Sequence, residues 1–262
     1  MAGFDRSAGA DMSRKPVDEL PMVTVSEQDG VRYLHLDTPW VQGAMRMSRR
    51  HDIELEYVRR MLTGLLWRPT EDLRIGHAVQ LGLGAAALTR FCHHRLGLNT
   101  TAVEINPAVI RACRMCFDLP ADGMGLKVLC EDAGEWIHRR APSGSISLLH
   151  VDLYDHEAAA PVLDDADFYA ACHRALEVGG VMTVNLFGRQ SSFERSAAHL
   201  ESAFGRSQLW RVQATREGNT VVVATRDVQV PDREVLISRA RHLEDTLGLP
   251  ALKWLRMIRP LV

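Results

Sequence analysis

Between residues 78 and 187 the sequence alternates between short β-type runs and helical ones, and this alternation limits the fold more than any other feature. AVQLGL (78–83), NTTAVEI (99–105), LKVLC (126–130), SISLLHVDL (145–153) and VMTVNLF (181–187) read as strands. Helical stretches follow them at 85–96, 107–117, 133–140 and 165–176, Gly179-Gly180 is expected to turn the chain into the last of these strands, and a further helix covers 191–204. Pro107 suits the first turn of its helix. Strands separated by helices cannot pair as hairpins, so they must run parallel with helices on both faces. QLWRVQA (208–214) and NTVVVATR (219–226) are joined by a short polar link and read as an antiparallel pair. The expectation is an α/β chain with a doubly wound, mostly parallel sheet and an antiparallel last strand.

Around that unit the organisation is simpler. Residues 1–20 read as a flexible tail, and 21–53 as a small N-terminal β region with a hairpin turning at Asp29-Gly30. A helix is expected from Glu54, and residues 54–230 form the main domain. Residues 231–262 read as one or two amphipathic helices, with Leu243, Leu247, Leu255 and Ile258 among the apolar positions.

In an open parallel sheet, ligands bind beyond the carboxyl ends of the strands, near the point where strand order reverses. Each of the first four strands ends in a residue suited to that position. Gly82 and Gly84 follow the first, where glycine permits a tight turn and close backbone approach. Glu104 ends the second, 20 residues beyond Gly84, a spacing that suits a carboxylate on a ribose diol. Asp132 and Ala133 follow the third; Asp132 can accept from an adenine amino group, cap a helix, or do both. Asp152 and Asp155 follow the fourth. The glycine run is GLGAAA, with Ala87 where a dinucleotide fingerprint needs its third glycine, so an adenosyl ligand without phosphates fits better.

Bulk properties exclude other classes. A formal net charge of −2 gives no general attraction to nucleic acid or anionic lipid. No apolar run reaches membrane-spanning length. The five cysteines are odd in number and lie within apparent helices and strands, which points to reduced thiols in the cytoplasm. Cys113-x-x-Cys116 has no second pair at zinc-ligand spacing, so no metal is expected.

Taken in order, WVQGAM, LEYVRRML, the glycine loop, AVEINPAVIRACR, EDA, VDLYD and the FY…L…GG segment at 168–180 resemble the spermidine synthase-like family. That family is built on the S-adenosylmethionine-dependent methyltransferase type of Rossmann fold, and the likeness runs from about Val23 to Arg226. The resemblance implies an aminopropyltransferase acting on a polyamine-type amine, commonly a homodimer, with no tightly bound cofactor. Its co-substrate would be decarboxylated S-adenosylmethionine or S-adenosylmethionine. It implies that Glu104 binds ribose, Asp132 and Ala133 adenine, and Gln42 the donor. Asp152 would be the catalytic aspartate with Asp155 its partner, and Tyr57 would line the amine pocket. The departures are specific. Ala85 replaces an aspartate, Val58 a glutamine, His156 a proline, and Asn185 stands where a glutamine is usual. Methyl transfer, or adenosyl binding without catalysis, therefore stays open beside aminopropyl transfer.

Overall fold

The computed structural model describes residues 20–154, 163–188 and 190–261. It contains a three-stranded antiparallel sheet and an eight-stranded mixed sheet. In the small sheet, β1 (Val23–Gln28) and β2 (Val31–Leu36) form a hairpin. Asp29 and Gly30 both have positive φ, the requirement of a two-residue turn matched to strand twist. The third strand, β3 (Gly43–Arg46), pairs with β2.

The large sheet is built on β4 (His77–Leu81), β5 (Asn99–Glu104), β6 (Leu126–Cys130), β7 (Ile146–Val151) and β8 (Leu176–Leu186), all parallel. The chain steps outward from β4 to β5 and β6, then returns to place β7 on the other side of β4. The order therefore reverses between β4 and β7, so the loops after these two strands lie side by side. Beyond β8 come β10 (Thr220–Thr225), β9 (Leu209–Val212) and β11 (Ile258–Pro260), each antiparallel to its neighbour.

Both faces of this sheet are covered, which explains why β7 is buried at every position. One face packs against a buried segment that opens as α1 (Glu56–Arg60) and against α2 (Ala87–Arg90), α7 (Arg233–Leu247) and α8 (Ala251–Leu255), while α3 (Pro107–Cys116) shares a cluster with Leu34 and Met45 of the small sheet. The other packs against α4 (Ala133–Arg139), α5 (Ala166–Ala175) and α6 (Gln190–Phe204). His150 on β7 is buried, its ring 2.7 Å from the Thr183 hydroxyl, and burial lowers its pKa to about 4. At neutral pH it is an uncharged core residue.

Four local expectations need correction. The helix from Glu54 lasts one turn before tightening to a 3-10 segment, Met61–Trp67. Every residue of that segment is buried, and a Cβ on Gly64 would come within 2.9 Å of Val181, so contact with β8 sets its shape. The helix expected at 85–96 is α-helical only over Ala87–Arg90, then widens to a π-turn over Phe91–Arg95. Gly179 and Gly180 form no turn before β8 but a bulge inside it, where a Cβ on Gly180 would meet two carbonyl oxygens at 2.8 Å. Ile258 does not lie on a helix: the chain turns after α8 and adds β11 at the sheet edge. Pro260 disfavours helix there, and an edge strand accommodates it.

Candidate functional site

The strand-order reversal brings Gly82, after β4, against Asp152, after β7. Gly82 has φ +84°, and a Cβ there would lie 2.1 Å from the Asp152 carbonyl oxygen. Backbone bonds fix both ends: Asp152 N–H donates to Leu81 at 3.0 Å, and Gly82 N–H to Val103 at 2.9 Å. The glycine is thus required by the packing of the two loops, independently of any ligand.

The Asp152 side chain faces a narrow cavity of about 20 Å³ shared with Gln42, Tyr57, Gln80, Gly84 and Ala85. Asn185, at the end of β8, donates to Asp152 Oδ1 at 2.9 Å. Asn219 donates in turn to Asn185 Oδ1 at 3.2 Å, and its own N–H donates to Thr215 Oγ1. An amide chain therefore runs from the carboxylate into the β9–β10 turn. Burial raises the Asp152 pKa above the ordinary carboxylate value, while hydrogen bonds from Asn185 and Tyr57 oppose the rise. Burial, then the neighbouring Asp152 charge, holds the Tyr57 phenol well above its usual pKa, so it stays a donor. Tyr154 ties the β7 end to the end of β8 by donating to the Asn185 carbonyl at 2.9 Å and accepting from Phe187 N–H.

Glu104 sits at the end of β5 and is tied to the glycine loop. Its Oε2 accepts from Leu83 N–H at 2.9 Å and its Oε1 from Asn106 N–H at 2.8 Å. Burial raises its pKa, and these backbone bonds act against that. Asp132 caps α4 by accepting from Glu135 N–H at 2.8 Å through Oδ1, so the capping reading of this residue holds. Ala133 follows it in the core. Asp155 and His156 lie outside the described residues.

Of the expected residues, Gln42, Tyr57, Gly84 and Asp152 meet around one cavity, with Gly82 in the adjoining loop and Glu104, at the end of β5, bonded to that loop; Asp132 stands one strand further along. Asn219, Gln80 and Tyr154 were missed. Asn219 reads as turn punctuation after Gly218, and only pairing of β10 with β8 brings it to Asn185. The basic run Arg46, Arg49, Arg50 is neutralised by Glu54, Asp52 and Asp118.

The alanine at position 85 has a structural counterpart. Ala85 is 3% exposed, and a Cβ on Gly43 would lie 2.4 Å from the Ala85 Cβ. The small pair lets β3 close directly onto the glycine loop. Ala85→Asp is therefore expected to reduce stability by about 2 kcal/mol, the scale of an unsatisfied buried polar group, without raising activity. Thermal unfolding beside an activity assay checks this. An unchanged melting temperature with higher turnover would contradict it.

No family model matches the chain. A polyamine aminopropyltransferase from Chromobacterium violaceum is 31% identical over 238 residues, covering 90% of this chain and 88% of that protein. A polyamine aminopropyltransferase from Neisseria meningitidis is 29% identical over 231 residues, covering 87% of this chain and 86% of its own length. Among solved structures, a probable spermidine synthase from Corynebacterium glutamicum superposes with a TM-score of 0.71 at 19% identity, over 88% of this chain and 86% of that one. Human methyltransferase-like protein 13 in complex with SAH gives 0.66 at 22% identity, over 74% of this chain and 93% of its own. These structural likenesses establish the methyltransferase-like fold; the sequence relationship goes further. With that identity across nine-tenths of its length, the chain belongs to the polyamine aminopropyltransferase family.

Proposed function

We propose that the protein transfers an aminopropyl group from decarboxylated S-adenosylmethionine to a polyamine-type amine. The observation that carries this reading is Asp152: a half-buried carboxylate at the strand-order reversal, its pKa raised, held by Asn185 and facing Tyr57. In the proposed step the amine nitrogen attacks the carbon beside the sulfonium. The carbon–sulfur bond breaks, methylthioadenosine leaves, and the amine proton passes to Asp152 directly or through water. An aliphatic amine has a pKa near that of lysine, about 10.4, so at neutral pH it arrives as a cation that must lose a proton. A carboxylate attracts that cation, and a raised pKa makes it a better proton acceptor. The sulfonium is already activated, so the remaining task is alignment.

On this reading Glu104 holds the ribose diol with its remaining lone pairs and Asp132 the adenine amino group, with Ala133 beside the ring. Gly82 and Gly84 let the backbone approach the donor, Gln42 borders it, and Asp155 supplies a second carboxylate near the amine. Given the small cavity, a donor must part β3 from the glycine loop to enter. The odd number of cysteines, all five within helices or strands, supports a reducing, cytoplasmic setting. No helix of the described residues is long and apolar enough to cross a membrane. Exposed Met22, Val25, Trp40 and Val41 in the N-terminal β region support contact between two copies in a homodimer.

Ala85 supports a second reading, methyl transfer from S-adenosylmethionine, because the acceptor side lacks the aspartate. The leaving product separates them: methylthioadenosine accumulates with the decarboxylated donor and an amine panel in the first case. Adenosylhomocysteine from S-adenosylmethionine would replace it in the second.

Asn185 gives a pH test. By donating to Asp152 it favours the charged carboxylate, so Asn185→Leu lets the Asp152 pKa rise further. The acid limb of the kcat–pH profile is expected to move up by about one pH unit, the scale of one hydrogen bond to a charged group. A limb that stays in place would separate Asn185 from the titrating group.

A further inference from the structure

A second and larger cavity, of about 530 Å³, opens where the N-terminal half of α6 stands off the sheet. Deeper along α6, Leu200 and Phe204 fill the helix–sheet layer with apolar side chains. At the upper end the layer instead presents three arginines, Arg211, Arg256 and Arg259, together with Phe187 and Phe193, and no Asp or Glu among the described residues lines it.

Register makes this arrangement unusual. Arg211 on β9 and Arg259 on β11 are direct cross-strand partners. By strand alternation Arg211 shares the face of Leu209, and Arg259 that of Leu261, both in the core cluster beneath α6. Like charges directly opposite one another destabilise a sheet. Neither arginine, nor Arg256, forms an ion pair among the described residues, although twelve such pairs occur elsewhere. The three arginines are solvent-exposed at the mouth of the cavity, and a charge on an edge strand protects against aggregation, which accounts for Arg259. It does not account for Arg211, because β9 is paired on both sides, by β10 and β11. The first turn of the 15-residue helix α6 also borders the cavity through Gln190, Ser192 and Phe193, adding the positive end of a helix dipole.

We propose that this cavity binds a small organic phosphate, its charged end between Arg211 and Arg259 and its planar or apolar body against Phe187 and Phe193. Two guanidinium forks facing across adjacent strands match the several oxygens of a phosphate group. The volume lies in the usual range for small-molecule sites. The site is separate from the Asp152 cavity, with which it shares no lining residue, and it does not depend on the aminopropyl reading.

Calorimetric titration at physiological salt, with inorganic pyrophosphate and uridine diphosphate as probes, tests it. Both are expected to bind at one site, the uridine compound more tightly because its ring reaches the phenylalanines. Arg211→Gln and Arg259→Gln should each weaken binding at least about tenfold, as expected for a charge-assisted bond. Their melting temperatures without ligand should equal or exceed that of the parent, because the facing charges no longer repel. Binding left unchanged by both substitutions, or no heat with either probe, overturns the site. Equal affinity for the two probes overturns the role of the two rings.

Discussion

Asp152→Asn is expected to lower kcat by about a thousandfold, within the span attributed to positioned proton acceptors. The amide is nearly isosteric and can still accept from Asn185 through its oxygen, so the fold and the Asp152 backbone contact with Gly82 should survive. On the proposed mechanism, what is lost is the negative charge that meets the amine cation and the basicity that takes its proton. The donor's adenosine contacts are assigned to Glu104 and Asp132 on other strands, so KM for the donor should change little. That pattern, a fall in kcat at nearly constant KM, marks an interaction made chiefly in the transition state. Steady-state kinetics with the decarboxylated donor checks it, and full activity in the variant would remove Asp152 from the mechanism.

Gly82→Ala carries the second large effect, this time on stability. At φ +84° a Cβ is strained by roughly 1 kcal/mol. The atom would also sit 2.1 Å from the Asp152 carbonyl oxygen, a backbone atom that cannot rotate away. Overpacking of this kind costs up to about 3 kcal/mol, giving about 4 kcal/mol in all. For a chain of this size that is a fall in Tm of roughly 10 °C. Gly84→Ala is the control. Its φ is +51° and its nearest foreign atom, the Gln42 carbonyl oxygen, lies at 3.1 Å, so it should lose only about 1 kcal/mol. Thermal unfolding of both variants gives the ordering. If Gly82→Ala melts with the parent, the two loops do not pack as described.

The large sheet was legible because its strands and helices carry different periods, and the strand-end rule then located Gly82, Glu104, Asp132 and Asp152 from one sequence. Residues whose roles depend on distant pairing were not legible. Asn219 follows Asn185 by 34 positions and reaches it only through the antiparallel insertion of β10 between β8 and β9. Ala85 read as a lost functional group, and only the fold revealed its close contact with Gly43 from the other sheet. Strand β11 was hidden by its length: three residues, one of them proline, carry no alternation to recognise.

The most direct test is donor discrimination. The protein should use decarboxylated S-adenosylmethionine with a kcat/KM at least a hundredfold above that for S-adenosylmethionine, about 2.7 kcal/mol of transition-state preference. On the proposed mechanism Asp152 lies beside the reacting carbon and would repel the extra carboxylate of the longer donor, which the site offers no cation to hold among the described residues lining its cavity. Methylthioadenosine should form in step with the alkylated amine. Equal kcat/KM for the two donors, with adenosylhomocysteine as the product from S-adenosylmethionine, would contradict aminopropyl transfer and assign the site to methyl transfer instead.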